Sequence, residues 1–473
     1  MKIKSNFLYS LAISTTLWAC QAQKINPDIT VSTPATFRSE QSTKPDSSIG
    51  NIPWRQFFHD PVLQELIDTA LQQNIDMQLA LKNIESAQLL FAQAKAAYLP
   101  SVQLQVQANS TNPSNNSLNG LSLGQFLGQN HLEDYTASLG LSWEADIWGK
   151  IKGKKAASLA AYLQTEEARK TIQTGLVNQV AKGYYQLLML YRLQDIAREN
   201  LKLSDSTLQV VQHQYEVGDI SLLAVEQVAA QRQAAASLIP DFQQQIALQE
   251  NALRILSGEF PKAIRTTASL DEVRLPSALA VGIPAELLGR RPDVKHAELS
   301  VTAAQAYQQV ARAQMYPSLA ITAQAGVNAF KASNWFNIPA SLFGSLAGSI
   351  TQPIFQRKEL KTQYEVARVE YEKSVLQFRQ AVVLAVGEVS DALISIQKLQ
   401  ERHQIVQDKT NRLKTAVRHA DLLFETGSAS YLEVITAQSN ALQSELELVQ
   451  LRKAELVAVV DLYRSLGGGW SLD

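Results

Sequence analysis

The chain has 473 residues, a formal net charge of -1 and 18% charged residues. That balance excludes a nucleic-acid binder built on clustered Lys and Arg. Length alone suggests about three domains, while few aromatics beside abundant Gln, Ala, Leu and Ser suit long helices with mildly apolar surfaces.

The chain opens on a targeting segment. Lys2 and Lys4 precede an apolar stretch from Phe7 to Trp18, too short and wrongly flanked for a membrane span. Leu17-Trp18-Ala19-Cys20 resembles a bacterial lipoprotein signal, with Cys20 as the lipidated residue. Cys20 is the only cysteine, so no internal disulfide can form. Gln21 after it resembles the outer-membrane address of lipoprotein sorting. Residues 1–19 therefore read as a signal peptide, and 20–53, rich in Ser, Thr and Pro, as a lipidated tether.

From there the chain says nearly the same thing twice. Ala94-Lys95-Ala96-Ala97-Tyr98-Leu99-Pro100-Ser101 returns as Ala311-Arg312-Ala313-Gln314-Met315-Tyr316-Pro317-Ser318. Asp146-Ile147-Trp148-Gly149-Lys150 returns as Pro353-Ile354-Phe355-Gln356-Arg357, and Glu216-Val217-Gly218 as Glu425-Thr426-Gly427. The chain is two copies of a unit of roughly 210 residues, a size that suits one structural half. The reading places the first repeat at 54–258, a linker at 259–283 and the second repeat at 284–473. Each repeat runs helix, strand, strand, very long helix, turn, helix.

Ser101 to Ala108 alternates polar and apolar residues without a break. Thr136 to Asp146 and Ser318 to Val327 do the same, and Leu342 to Ile354 does so with interruptions at Gly344 and Gly348. Period two means two-faced strands. One buried face of a soluble sheet would explain a single run of this kind. Here the second face carries Gln, Ser and Thr over about ten residues, the pattern of a transmembrane barrel with a wet lumen. Tyr98, Trp143, Trp148, Tyr316 and Phe355 lie near the strand ends, where an aromatic belt belongs. The stretches 109–134 and 328–340 read as external loops. Four strands cannot close a barrel, because open edges in lipid leave backbone groups unpaired. Closure needs other subunits, and three protomers would supply about twelve strands.

Gly149 to Tyr215 and Gln356 to Phe424 run without proline and are rich in Ala, Leu, Gln, Glu and Arg. Each rod would reach about 100 Å. Each ends at a glycine turn, Gly218-Asp219 or Gly427-Ser428, and a return helix follows over 222–256 or 431–466. Leu187, Leu190, Leu193 and Ile196 follow coiled-coil spacing.

Three motifs now carry a resemblance. They are Leu287-Leu288-Gly289-Arg290-Arg291-Pro292-Asp293-Val294 with Ala297-Glu298, then Trp143-Glu144-Ala145-Asp146-Ile147-Trp148-Gly149, and Gln352-Pro353-Ile354-Phe355. The chain resembles outer-membrane efflux proteins of the TolC type, in the lipoprotein branch serving resistance-nodulation-division pumps, over about Trp54 to Trp470. The resemblance implies an α+β membrane protein. A trimeric 12-stranded β-barrel, four strands per protomer, would cross the outer membrane and continue as a long periplasmic α-helical barrel. The helix tips would close the duct at rest and meet a periplasmic adaptor (membrane fusion) protein and an inner-membrane RND transporter. Lipid is the other partner, and no nucleic acid is expected.

The resemblance also implies an acidic gate just past the second tip glycine. The matching residue is Glu433; the family's second acid falls on Thr436, and in the first hairpin the position is Ala224, with Asp219 and Glu226 nearby. Glu433 either forms a ring with its copies or lies on a solvated helix face. Arg290, Arg291, Pro292 and Asp293 read as a helix start, and Asp146 and Gly149 as the corner where strand becomes helix. Gly120-Leu121-Ser122-Leu123-Gly124 matches a nucleophile elbow by letter but lies in a loop. No catalytic, metal or cofactor site is read, so the chain is expected not to be an enzyme. Two alternatives share the helices: an exit channel for type I protein secretion, and a coiled-coil scaffold without a pore.

Overall fold

The computed structural model describes residues 33–38, 48–126, 128, 130–274 and 280–470. The lipoprotein signal and Cys20 lie outside the described residues. After a single helical turn at Trp54–Phe57, Asp60 starts the first long helix, α1 (Pro61–Gln73), by accepting from the Val62 and Leu63 amides at 2.8 and 3.3 Å. Helix α2 (Ile75–Ala96) follows at once and leads into β1 (Ser101–Thr111). A short helix, α3 (Leu118–Phe126), crosses the loop to β2 (Leu132–Ala145). Then come the rod α4 (Lys150–Glu216) and its return α5 (Leu222–Leu256). The second pass is α6 (Pro292–Ala313), β3 (Ser318–Ala329), β4 (Leu342–Thr351), α7 (Glu359–Glu425) and α8 (Tyr431–Ser465). Helices α2 and α6 have 22 residues each, α4 and α7 have 67, and α5 and α8 have 35. The duplication in letters is a duplication in geometry.

The four strands form one antiparallel sheet in the order β1-β2-β3-β4. Their register sorts the side chains by face. Val102, Leu104 and Val106 stand opposite Leu141, Leu139 and Ala137. Leu141, Leu139 and Trp143 stand opposite Ala323, Ala325 and Ile321. The polar face carries its own ladder: Gln105 donates to Gln107 at 3.0 Å and Gln107 to Asn109 at 2.9 Å. Gln324 reaches Ser138 at 2.7 Å. The apolar residues of β1 are 63–72% exposed in one protomer. In water that exposure would be unfavourable; against lipid it is not. Gly344 and Gly348, the interruptions in β4, lie on the apolar face opposite Ala325 and Ile321.

Three strand ends extend beyond the sequence expectation, and one of them is β3, which continues through Asn328 and Ala329 opposite Thr136 and Tyr135. β1 runs to Thr111 and β2 begins at Leu132, because Asn109, Ser110 and Thr111 pair with Asp134, Glu133 and Leu132. Those residues are polar enough to look like loop, and cross-strand pairing overrides their composition.

The rods pack as hairpins, α4 on α5 and α7 on α8, with α6 between α4 and α7. Leu187, Leu190, Leu193 and Ile196 are all buried. Polar seams hold register along the hairpins: Thr410 and Ser444 share a buried 2.8 Å hydrogen bond, and Gln249 donates to the Gly183 carbonyl at 2.9 Å. Halfway along, Trp54, Phe57, Phe58 and Tyr463 form a dense core. The Phe57 and Tyr463 rings stack at 4.0 Å, and the Tyr463 hydroxyl donates to the Ile52 carbonyl at 2.6 Å. Among the described residues, no helix is long and apolar enough to cross a membrane.

Candidate functional site

Two places in this fold join repeat to repeat or sheet to rod, and a third ends the rods. At the barrel corner, Asp146 accepts from the Ile151 and Lys152 amides at 2.9 and 2.8 Å. It therefore satisfies two of the free N–H groups at the start of α4. Gly149 holds φ 77 there, with no atom near a would-be Cβ. Trp148 crosses to the other repeat: its indole donates to the Pro317 carbonyl at 2.7 Å and its ring stacks on Tyr316 at 4.8 Å. Trp143 likewise donates to the Tyr98 carbonyl at 2.9 Å. Trp143 and Trp148 thus tie strand ends to the segments that end the neighbouring helices.

The Arg-Arg-Pro-Asp run starts α6, with Pro292 at its first position and Asp293 in its first turn. The structure adds what the sequence did not show. Arg291, with a side chain 5% exposed, grips Asp293 with two nitrogens at 2.6 and 3.0 Å. A third contact reaches Glu388 on α7 at 2.7 Å, and the same nitrogen donates to the Ser465 carbonyl at 3.1 Å. Burial works against the charged guanidinium, but Asp293 and Glu388 more than offset it and raise its pKa. Burial likewise opposes ionisation of Asp293, and Arg291 outweighs it, holding the carboxyl below its ordinary range. Arg290 pairs with Glu286 at 2.8 Å, and its carbonyl accepts from Trp470 at 3.2 Å.

The first repeat makes the same clamp from Asn74, a residue the sequence reading passed over. Asn74 accepts from the Met77 amide at 3.1 Å and donates to the Leu256 carbonyl at 2.9 Å. Leu256 ends α5 as Ser465 ends α8. The signal was available: with Pro100 laid on Pro317, Asn74 falls on Arg291.

At the far end, the tip turns close alike. Gly218 donates to the Tyr215 carbonyl at 3.0 Å and Asp219 to Gln214 at 2.9 Å. Gly427 donates to Phe424 at 3.0 Å and Ser428 to Leu423 at 2.7 Å. Both glycines have positive φ, 87 and 72°, the left-handed cap that ends a helix. Val211, Ala224, Val228, Phe424 and Val434 bury themselves between the two tips. Tyr431 donates to Gln227 at 2.8 Å and Gln438 to Thr207 at 3.0 Å, tying hairpin to hairpin. Asp219 is exposed. Glu433 is exposed too, and its carboxylate accepts from the Ser430 amide at 2.7 Å, capping α8. Burial, together with Glu425, pushes the Asp421 carboxyl up, with Gln438 partly opposing.

Ser122 of the elbow-like pentapeptide lies inside α3, not on a strand-to-helix turn. Among the described residues no group of His, Cys, Asp and Glu could hold a metal ion.

A family model described as Outer membrane efflux protein matches residues 66–259 and 283–468. TtgC of Pseudomonas putida, a probable efflux pump outer membrane protein, is 30% identical over 420 residues, 88% of this chain and 85% of its own. The cation efflux system protein CusC of Escherichia coli is 29% identical over 424 residues, 89% of each. A crystal structure of CusC matches with a TM-score of 0.81 at 27% identity, covering 92% of this chain and 97% of that one. The open state of the Neisseria gonorrhoeae MtrE outer membrane channel shares the fold, with a TM-score of 0.83 at 24% identity over 93% and 96% of the two chains. The chain belongs to the outer membrane efflux protein family and is an outer-membrane efflux channel.

Proposed function

We propose that three copies of this chain close one duct: twelve strands through the outer membrane and a tunnel of helices below, anchored by lipid on Cys20. The two repeats, 54–258 and 284–473, each contribute two strands and one hairpin. The observation that carries this reading is the sheet with its two free edges, β1 and β4, which in lipid must pair with further copies. The tips around Gly218, Asp219, Gly427 and Glu433 form the periplasmic gate. There an adaptor and an inner-membrane resistance-nodulation-division transporter dock and supply the energy. The protein acts as a passive conduit and catalyses no reaction.

Cargo is chosen elsewhere. Relatives named for toluene, for cations and for pyoverdine are similar to this chain along most of its length. A shared duct serving such different solutes has no single binding pocket to read. The test is capture in cells through Asp219→Cys and Ser428→Cys. An adaptor and a resistance-nodulation-division pump in the cross-link support the reading. An ABC transporter in their place moves it to type I secretion. A trimer silent in a planar bilayer, with neither partner captured, leaves the pore-less scaffold.

A further inference from the structure

Each repeat turns from strand to rod through an exposed apolar pair followed by a run of cations, most of them outside any ion pair. In the second repeat Ile354 is 94% and Phe355 84% exposed. Arg357, Lys358 and Lys361 follow, all exposed, and none makes an ion pair among the described residues. In the first repeat Ile147 and Trp148 are 58% and 40% exposed. Lys150, Lys152, Lys154 and Lys155 come next; Lys150 pairs with Glu144 at 2.9 Å, while Lys152 and Lys154 stand exposed without an ion pair. Both corners lie just past the ends of strands that cross the membrane, where the rods begin.

Folding does not explain these cations. They sit at the N-terminal ends of the two rods, where the helix dipole disfavours positive charge. Lys358 also holds φ 69 and Arg357 φ 46. Gly149 caps the first rod as Lys358 caps the second, and it holds φ 77, the conformation that backbone sterics reserve mostly for glycine. A lysine thus stands where the first repeat has glycine, and the arginine before it also holds a positive φ. An apolar pair at lipid depth with cations just beyond it is the chemistry of a surface-seeking anchor for anionic headgroups.

We infer that these two corners bind anionic glycerophospholipid in the periplasm-facing leaflet. Ile147, Trp148, Ile354 and Phe355 lie among acyl chains, and Lys152, Lys154, Arg357 and Lys358 hold the lipid phosphates. This rests on the barrel crossing the outer membrane and is independent of which pump docks at the tips.

The experiment offers delipidated full-length protein an equimolar mixture of phosphatidylglycerol and phosphatidylcholine, and counts the lipids retained per assembly by native mass spectrometry. The wild type retains phosphatidylglycerol preferentially. Arg357→Gln with Lys358→Gln lowers that preference by about fivefold per cation removed, and raised salt erodes it. Phe355→Ser lowers total lipid retained at an unchanged ratio. Lys358→Gly serves if the double variant misfolds: it removes one charge and relieves the left-handed lysine, so headgroup preference falls while thermal stability in phosphatidylcholine rises. Equal retention of the two lipids by the wild type overturns the inference, as does an undiminished preference in the variants. So does equal loss of assembly in both lipids, which would assign the cations to contacts between subunits.

Discussion

The two repeats solve one joint with different chemistry. In the first, neutral Asn74 both caps α2 and ties down the last carbonyl region of α5. In the second, Arg291 ties down the end of α8 but cannot accept a capping bond, so Asp293 takes an amide, Val294, and the arginine itself. The change adds a reach that asparagine lacks: Arg291 extends to Glu388 on the neighbouring rod, which Arg464 also approaches at 3.5 Å. A duplicated fold keeps its carbonyl-to-helix tie and lets charge decide how many elements it gathers.

Removing the arginine breaks the comparison most strongly. Arg291→Ala leaves Asp293 without its cation, Glu388 with only the longer contact to Arg464, and the Ser465 carbonyl without its donor. Buried pairs broken on one side cost about 3–5 kcal/mol, and the partial exposure of both carboxylates reduces this to about 2–4 kcal/mol. The loss should appear in denaturant unfolding of the purified protein, and Arg291→Lys should recover only part of it. Asn74→Ala loses one cap and one hydrogen bond, about 1–2 kcal/mol. Equal losses for Arg291→Ala and Asn74→Ala would mean the reach to Glu388 contributes nothing.

The glycines behind the two clamps rank in the opposite order. Gly258 has φ 74, and an added Cβ would stand 2.3 Å from the Gln73 carbonyl oxygen. Gly467 has φ 85, with the Arg290 oxygen at 2.9 Å. A left-handed alanine alone costs about 1–2 kcal/mol. Both joints must also move backbone, the first by more, so Gly258→Ala is expected to destabilise more than Gly467→Ala, again read by unfolding.

Acid separates the clamps next. Because the folded-state pKa of Asp293 is depressed, its contribution is present above the ordinary aspartate range, about 3.9. It is lost as pH falls through the lower, folded value. Wild-type stability should therefore fall below about pH 4 more steeply than that of Asp293→Asn, while Asn74 contributes no titrating group.

Much of this was legible without coordinates, and the reason is period. The repeats, the alternating strands and the unbroken rods each impose a spacing on the letters, and the three together narrow the architecture. The clamps were not legible because they join residues far apart in the chain: Arg291 to Ser465, Asn74 to Leu256. The short helix α3 was hidden in a stretch read as loop. The tip glycines were legible because a left-handed cap admits few other residues. Glu433 was half legible. Its letter shows an acid past the turn, while its capping bond needs the backbone of Ser430 in view.

That double role gives the finest comparison between the tips, since Ala224 in the first hairpin stands where Glu433 stands in the second. Glutamine at this position can still accept from the Ser430 amide, so Glu433→Gln keeps the cap and removes the charge. Glu433→Ala removes both and should cost about 0.5–1 kcal/mol. If Glu433 forms a ring at the gate, both variants change the cation preference of single channels in a planar bilayer by the same amount, although only alanine lowers stability. If Glu433 is a cap alone, glutamine leaves conductance and stability untouched, and any conductance change in alanine follows from a loosened α8. The glutamine variant thus separates charge at the tip from helix capping, whereas the first hairpin's Ala224, buried between the tips, supplies neither.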